Sequence, residues 1–176
     1  SFAIAEKGGF VNDIATNEVT QSDNSSLVGS NNSRISSSID SIILGSVSSS
    51  IQSSGLSTIV GGQLNRVHHS ASLETERVGS GIIGGSNNTV SSSFTSQSKI
   101  MNSYIFGGSS NSILQTGSST VTNATIVGGL FNKIYSGLSS IVVGGFSNQA
   151  SADSSAVIGG SGNKSKHTNS IIIGMQ

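Results

Sequence analysis

Apolar residues in this chain come in short phrases that end at once in glycine. The pairs read Leu27-Val28, Ile43-Leu44, Ile59-Val60, Ile82-Ile83, Ile105-Phe106, Ile126-Val127, Val142-Val143, Val157-Ile158 and Ile172-Ile173. The glycines that follow are Gly29, Gly45, Gly61, Gly84, Gly107, Gly128, Gly144, Gly159 and Gly174, at intervals of 16, 16, 23, 23, 21, 16, 15 and 15 residues. Such intervals are too short for a helical pair or a propeller blade. They suit one coil of a parallel β-roll or β-solenoid, with two short strands and two tight turns per coil. The expected fold is therefore all-β, with about nine to ten coils forming one segment: N-terminal coils over 1–60, longer coils over 61–128 and regular coils over 129–176. The phrase SFAIA at 1–5 reads as a degenerate first copy, with Ala5 standing in for the glycine.

Each column of the repeat predicts an environment. Adjacent residues of a strand point to opposite faces. A strand that is apolar at both positions before its glycine must bury both faces, because a half-solvated sheet alternates. One face fills the narrow core of the roll. The other needs a second surface, and an identical neighbouring chain is the simplest source, so a homo-oligomer is expected. Four residues past the glycine stand Asn65, Asn88, Asn111, Asn132, Asn148 and Asn163. Stacked at the strand spacing, they predict an amide ladder that satisfies buried turn carbonyls. The next position is polar or basic (Arg34, Arg66, Lys133, Gln149, Lys164) and faces water, and the one after is mostly apolar and faces inward. Doubled glycines suit reversals through positive φ. The Ser four places before the glycine (Ser41, Ser57, Ser80 and their equivalents) fits a crowded corner.

Composition narrows the function classes. Roughly a quarter of the 176 residues are Ser and 23 are Gly, with no Pro, Trp or Cys, and only 9% are charged. Disorder requires low hydrophobicity and high net charge, whereas 34% of this chain is hydrophobic and its formal net charge is zero. Phosphate binding needs a basic stripe, and the eight Lys and Arg are scattered singly along the chain. No nucleic-acid partner is expected. No apolar run reaches the roughly 18–20 residues of a membrane span, so no membrane insertion by this segment is expected.

The phrases NSIIIG (169–174), SSAVIGG (154–160) and SSIVVGG (139–145) resemble the NSVAIG-type phrase of YadA-like trimeric autotransporter adhesin heads. The resemblance is good over 139–174, fair over 25–62 and weak across the longer coils. It implies a left-handed parallel β-roll packed side by side in a homotrimer. It further implies an extracellular, cell-surface location and attachment to a glycan or protein receptor of a target cell. Phage and viral fibres contain similar rolls, so a virion tail-fibre segment is the alternative. Family phrases usually carry Ala where this chain has Ile172, which reads as a thicker interchain interface.

Candidate chemistry is sparse. The long coils carry inserts at His68 to Gly81, Ser91 to Ser103 and Leu114 to Ala124, which must stack as a shelf or an extra strand on one face. The first holds a charge cluster, His68, His69, Glu74, Glu76 and Arg77, which reads either as a ligand contact or as a solvated, salt-bridged loop. Neighbouring His residues of a strand point opposite ways, so one metal site rarely uses both. Phe94, Lys99, Met101 and Tyr104 read as a glycan-stacking patch or as plain interface packing. No catalytic residue, metal or cofactor is expected. A polysaccharide-degrading tailspike is the enzyme alternative, although only Glu74 and Glu76 lie close together among the acids. An ice-binding solenoid needs a Thr column, and Thr58 and Thr125 are isolated matches.

Overall fold

The computed structural model describes residues 2–4, 10–12, 17–69, 79–92, 100–115, 121–135 and 137–174, with side chains from 17 onward. It is all-β. Two parallel sheets run the length of a roll, and the chain alternates between them once per coil. Sheet A contains the glycine-ended phrases as strands Ser26–Val28, Ile42–Leu44, Thr58–Val60, Ser80–Ile83, Ser103–Phe106, Thr125–Val127, Ile141–Val143, Ala156–Ile158 and Ile171–Ile173. Sheet B contains Glu18–Thr20, Arg34–Ser36, Ser50–Gln52, Arg66–His69, Thr89–Ser92, Ser112–Gln115, Lys133–Tyr135, Gln149–Ala150 and Lys164–Ser165. Between the sheets run two short sides, each stacked on the next coil through single-residue pairings such as Val47 with Gln63 and Ile39 with Gly55.

The unit of the regular coils is half a coil. Leu27, Ile35, Ile43, Ile51, Ile59 and Val67 are all fully buried and stand eight residues apart, alternately in sheet A and sheet B. Each half-coil turns two corners in the left-handed region. Gln21, Asn24, Gly29, Asn32, Ser37, Asp40, Gly45, Ser48, Ser53, Leu56, Gly61 and Leu64 all have positive φ, at alternating steps of three and five residues. Glycine reaches this region freely and Asn and Asp do so more readily than most residues. Leu56, Leu64 and Phe131 occupy it as bulky side chains, and all three point into solvent.

The core is one aliphatic column from each sheet, bordered by buried hydroxyls. Ser25, Ser41 and Ser57 form one such border. The Ser41 hydroxyl donates to the Ile39 carbonyl at 3.2 Å and accepts the Ser57 amide at 3.3 Å, and Ser25 does the same one coil earlier. Ser33 and Ser49 form another border, with Ser49 Oγ accepting the Asn65 amide at 3.2 Å. A hydroxyl of this size satisfies a turn carbonyl and an amide in the next coil within a tight corner. The abundance of Ser therefore follows from hydrogen bonding as much as from compactness.

From Asn65 onward, Asn replaces Ser in that column, and the corner opposite it becomes glycine. Gly-Ser with Ser (Ser30 with Ser33, Ser46 with Ser49) gives way to Gly-Gly with Asn (Gly62 with Asn65, Gly85 with Asn88, Gly108 with Asn111). A Cβ on Gly108 would lie 2.4 Å from Asn111 Nδ2 and 2.4 Å from the Gly129 carbonyl, so the amide occupies the space of the missing side chain. Asn111 Nδ2 donates to the Gly129 carbonyl at 3.1 Å, as expected for a group that satisfies turn carbonyls. The ladder differs from a side-chain amide stack, because Asn111 Oδ1 accepts the backbone amide of Asn132 at 2.9 Å. Asn111→Ala should leave these buried partners unpaired and destabilise the fold by about 2–3 kcal/mol, measured by urea unfolding.

Two sequence expectations are corrected here. The strand that precedes the first full coil is Phe10–Asn12, whose Val11 pairs with Leu27, sixteen residues on. The SFAIA phrase lies off this period, and Phe2–Ile4 pairs antiparallel to Phe10–Asn12. An apolar triplet identifies a strand but not its direction. Ile172 pairs with Val157, the core-facing column, and packs against the core cluster. Its bulk therefore thickens the core, and the outward residues of that strand are Ile171 and Ile173.

Candidate functional site

The long coils widen the roll. Their sheet B strands continue past Val67, Val90 and Ile113 to bury His69, Ser92 and Gln115 as one extra inward column. Beyond it, Ile100–Met101 and Val121–Thr122 pair as a small third parallel sheet whose Ile100 and Val121 point inward. The expected extra strand is thus present, and it enlarges the core. Glu74, Glu76, Arg77, Phe94 and Lys99 lie outside the described residues.

His68 and His69 point opposite ways, as strand alternation requires. His68 stands half-buried on the outer face of sheet B. Burial, and secondarily the Arg66 charge, lowers its pKa. His69 is inside, with Nδ1 3.3 Å from Ser92 Oγ and Nε2 buried without a hydrogen-bond partner among the described residues. It therefore makes no surface contact with a ligand. Burial, with a smaller contribution from His68, pushes its pKa down to about 4.

That shift fixes the direction of a pH effect. Between about pH 6.5 and 4 the unfolded chain protonates His69 and the folded chain does not, so stability falls as pH falls through this window. The loss approaches about 3 kcal/mol at its lower end. Urea unfolding at pH 7 and 4.5 should show it, and His69→Gln should remove most of the difference; an equal acid loss in both proteins would refute the assignment.

Tyr104 lies on the other side of the molecule, on the outer face of sheet A. Its ring stacks with Phe106 at a centroid distance of 6.2 Å and covers Gly81, where an added Cβ would meet Tyr104 Cδ1 at 3.1 Å. His68, His69 and Tyr104 consequently belong to three environments: the outer face of sheet B, the core and the outer face of sheet A.

The extended features of the surface are its faces. Sheet A presents Ile83, Phe106, Val127, Ile158 and Ile173 in one outward column, and Ile141 and Ile171 in the other. Exposure is 40% at Val127 and reaches 67% at Ile171. The adjoining short side, beyond the glycine corner, adds Val47, Leu64, Leu130, Phe131 and Phe146, with the last two rings in edge contact at 5.9 Å. Apart from Leu114 and Tyr135, sheet B presents polar residues. Its first outward column is Glu18, Arg34, Ser50, Arg66, Thr89, Ser112, Lys133, Gln149 and Lys164. Arg34, Arg66, Lys133 and Lys164, scattered singly along the chain, thereby gather in one row. The repeat position five past the glycine was the available signal, since a column concentrates whatever the period separates.

These features define a parallel β-roll with one apolar and one basic-polar outer face. No family model matches the chain, and no curated protein is significantly similar to it. Among the described residues there is no group of three His, Cys, Asp or Glu able to hold a metal ion, and no helix long and apolar enough to cross a membrane.

Proposed function

We propose that this chain is a non-enzymatic segment of a homotrimeric surface fibre or adhesin head that mediates attachment to a receptor. The observation that carries the reading is the apolar outer face of sheet A. It continues over successive coils and is far more extended than the scattered exposed apolar residues of a monomeric surface. An identical roll suits it as a partner, because every column repeats at the strand spacing and an axis parallel to the roll matches like coil with like. Three copies fit better than two. The apolar surface turns a corner from sheet A onto the short side of Leu130, Phe131 and Phe146. Packing one face against the adjoining side of the next copy is a heterologous contact that closes into a ring, whereas a two-fold dimer pairs one patch with itself.

The bulky Leu64 and Phe131 at positive φ support the same reading. Each left-handed non-glycine residue costs about 1–2 kcal/mol, and strain of this kind is commonly retained where a side chain serves a contact. Sedimentation should give three times the 17.7 kDa chain mass; a stable monomer at micromolar concentration would overturn the proposal.

A further inference from the structure

We propose that the outer face of sheet B binds a linear anionic polysaccharide laid along the roll axis. The inference supplies a ligand class for the attachment role above and rests on that role only for its biological use.

Among the described residues charge is segregated across the roll, although the formal net charge of the full chain is zero. Arg66, Lys133 and Lys164 share the first outward column of sheet B, and Lys166 follows Lys164 at the next outward position. Among the described acids, Glu18 alone stands on this face, where it pairs with Arg34. That is the one ion pair among the described residues, so the other cations of the row are uncompensated by any described group. Asp23, Asp40 and Asp153 lie instead along the short side that leads back to sheet A.

The spacing selects the ligand. Arg66 and Lys133 are three strands apart, about 14 Å at the strand separation, and Lys133 and Lys164 are two apart, about 10 Å. A nucleic-acid strand carries a charge about every 3.4 Å, far denser than this row. Single-stranded nucleic acid also calls for a stacking platform; among the described residues of this face the aromatic side chains are Tyr135 and the half-buried His68. A polymer with one carboxylate or sulfate per few sugar units matches the row better. Between the cations, Thr89, Ser112 and Gln149 place hydroxyls and an amide where sugar hydroxyls would pass. Each cation alone is weak in salt water, since the Debye length is about 8 Å at physiological ionic strength. A row reading one continuous polymer, multiplied over copies, converts weak contacts into avidity.

Binding of the intact chain to immobilised κ-carrageenan and hyaluronan, which carry one sulfate or one carboxylate per disaccharide, and to neutral dextran and poly(dT), tests this across a salt series. The expected result is salt-dependent binding to the first two, with sulfate and carboxylate arms ranking the anion, and none to neutral dextran. The double variant K133E/K164E should bind at least tenfold more weakly with an unchanged circular dichroism spectrum. Unchanged affinity in that variant, no binding to either acidic polymer at low salt, or tighter binding per charge to poly(dT) would each overturn the proposal. It fails separately from the trimer: a monomer that binds hyaluronan removes only the assembly, and a trimer that binds no polyanion removes only the ligand.

Discussion

Val127→Asp should dissociate the proposed trimer into folded monomers, and Ile126→Asp should leave no folded chain at all. The two residues are neighbours in one strand, yet they face different surroundings. Ile126 is fully buried between Ile105 and Val142 in the core column. An ionised carboxylate there has no partner, and burying an unpaired charge exceeds what one position can lose in a marginally stable protein. The expected destabilisation is more than about 4 kcal/mol. Val127 is 40% exposed in the single chain, so a carboxylate at this site reaches water in the monomer. Its effect on the isolated roll should stay within about 1 kcal/mol, the span of strand propensities at an exposed site. In the proposed trimer the same carboxylate would lie in each of the interfaces, where an unpaired buried charge costs about 3–5 kcal/mol. Sedimentation with circular dichroism separates the outcomes. A Val127→Asp protein that still sediments as three chains would remove sheet A from the interface.

The second large effect concerns two adjacent glycines. Gly108→Ala should destabilise the roll by about 3 kcal/mol or more, and Gly107→Ala by about 1–2 kcal/mol. Both have positive φ, 69° and 76° in chain order, so both pay the backbone penalty of an L side chain in the left-handed region. They differ in what the new methyl would meet. Around Gly107 nothing lies within 4 Å. Around Gly108 the methyl would overlap the Asn111 amide and the Gly129 carbonyl, and the backbone of the next coil, at Gly128 C 2.8 Å away, cannot yield. Restoring space would break the Asn111 bond to that coil, so the damage spreads along the column. Equal losses in the two variants, read from urea midpoints, would show that φ alone explains the pair.

Much of this architecture is legible in the chain because the apolar, glycine-ended phrase recurs in every coil from Leu27 onward. Interval, apolar pairs and glycines predict a parallel roll, and Asn111 and its equivalents sit in the corner their spacing implies. The half-coil period is also present, as an inward aliphatic residue every eighth position from Leu27 to Val67, but indexing on glycine conceals it. Sheet B corners are made by Asn32, Ser37, Ser48 and Ser53, which carry no glycine signal. The candidate site was less legible. His68 and His69 read as a pair by adjacency, and a strand separates adjacent side chains by definition of its pleat. Tyr104 directly follows its insert in the sequence, whereas the coil carries it to sheet A beside Phe106.

The sequence by itself determined the class of fold, the inward column and the presence of a second, outward apolar column. These are properties of periodicity, which one strand already carries. Only the tertiary structure decided which faces adjoin and which charges meet. Arg66 and Lys133 are 67 positions apart in the chain but three strands apart in the roll. Stacking converts distance along the sequence into rungs of about 4.8 Å, and coils of unequal length hide that conversion until the register is known.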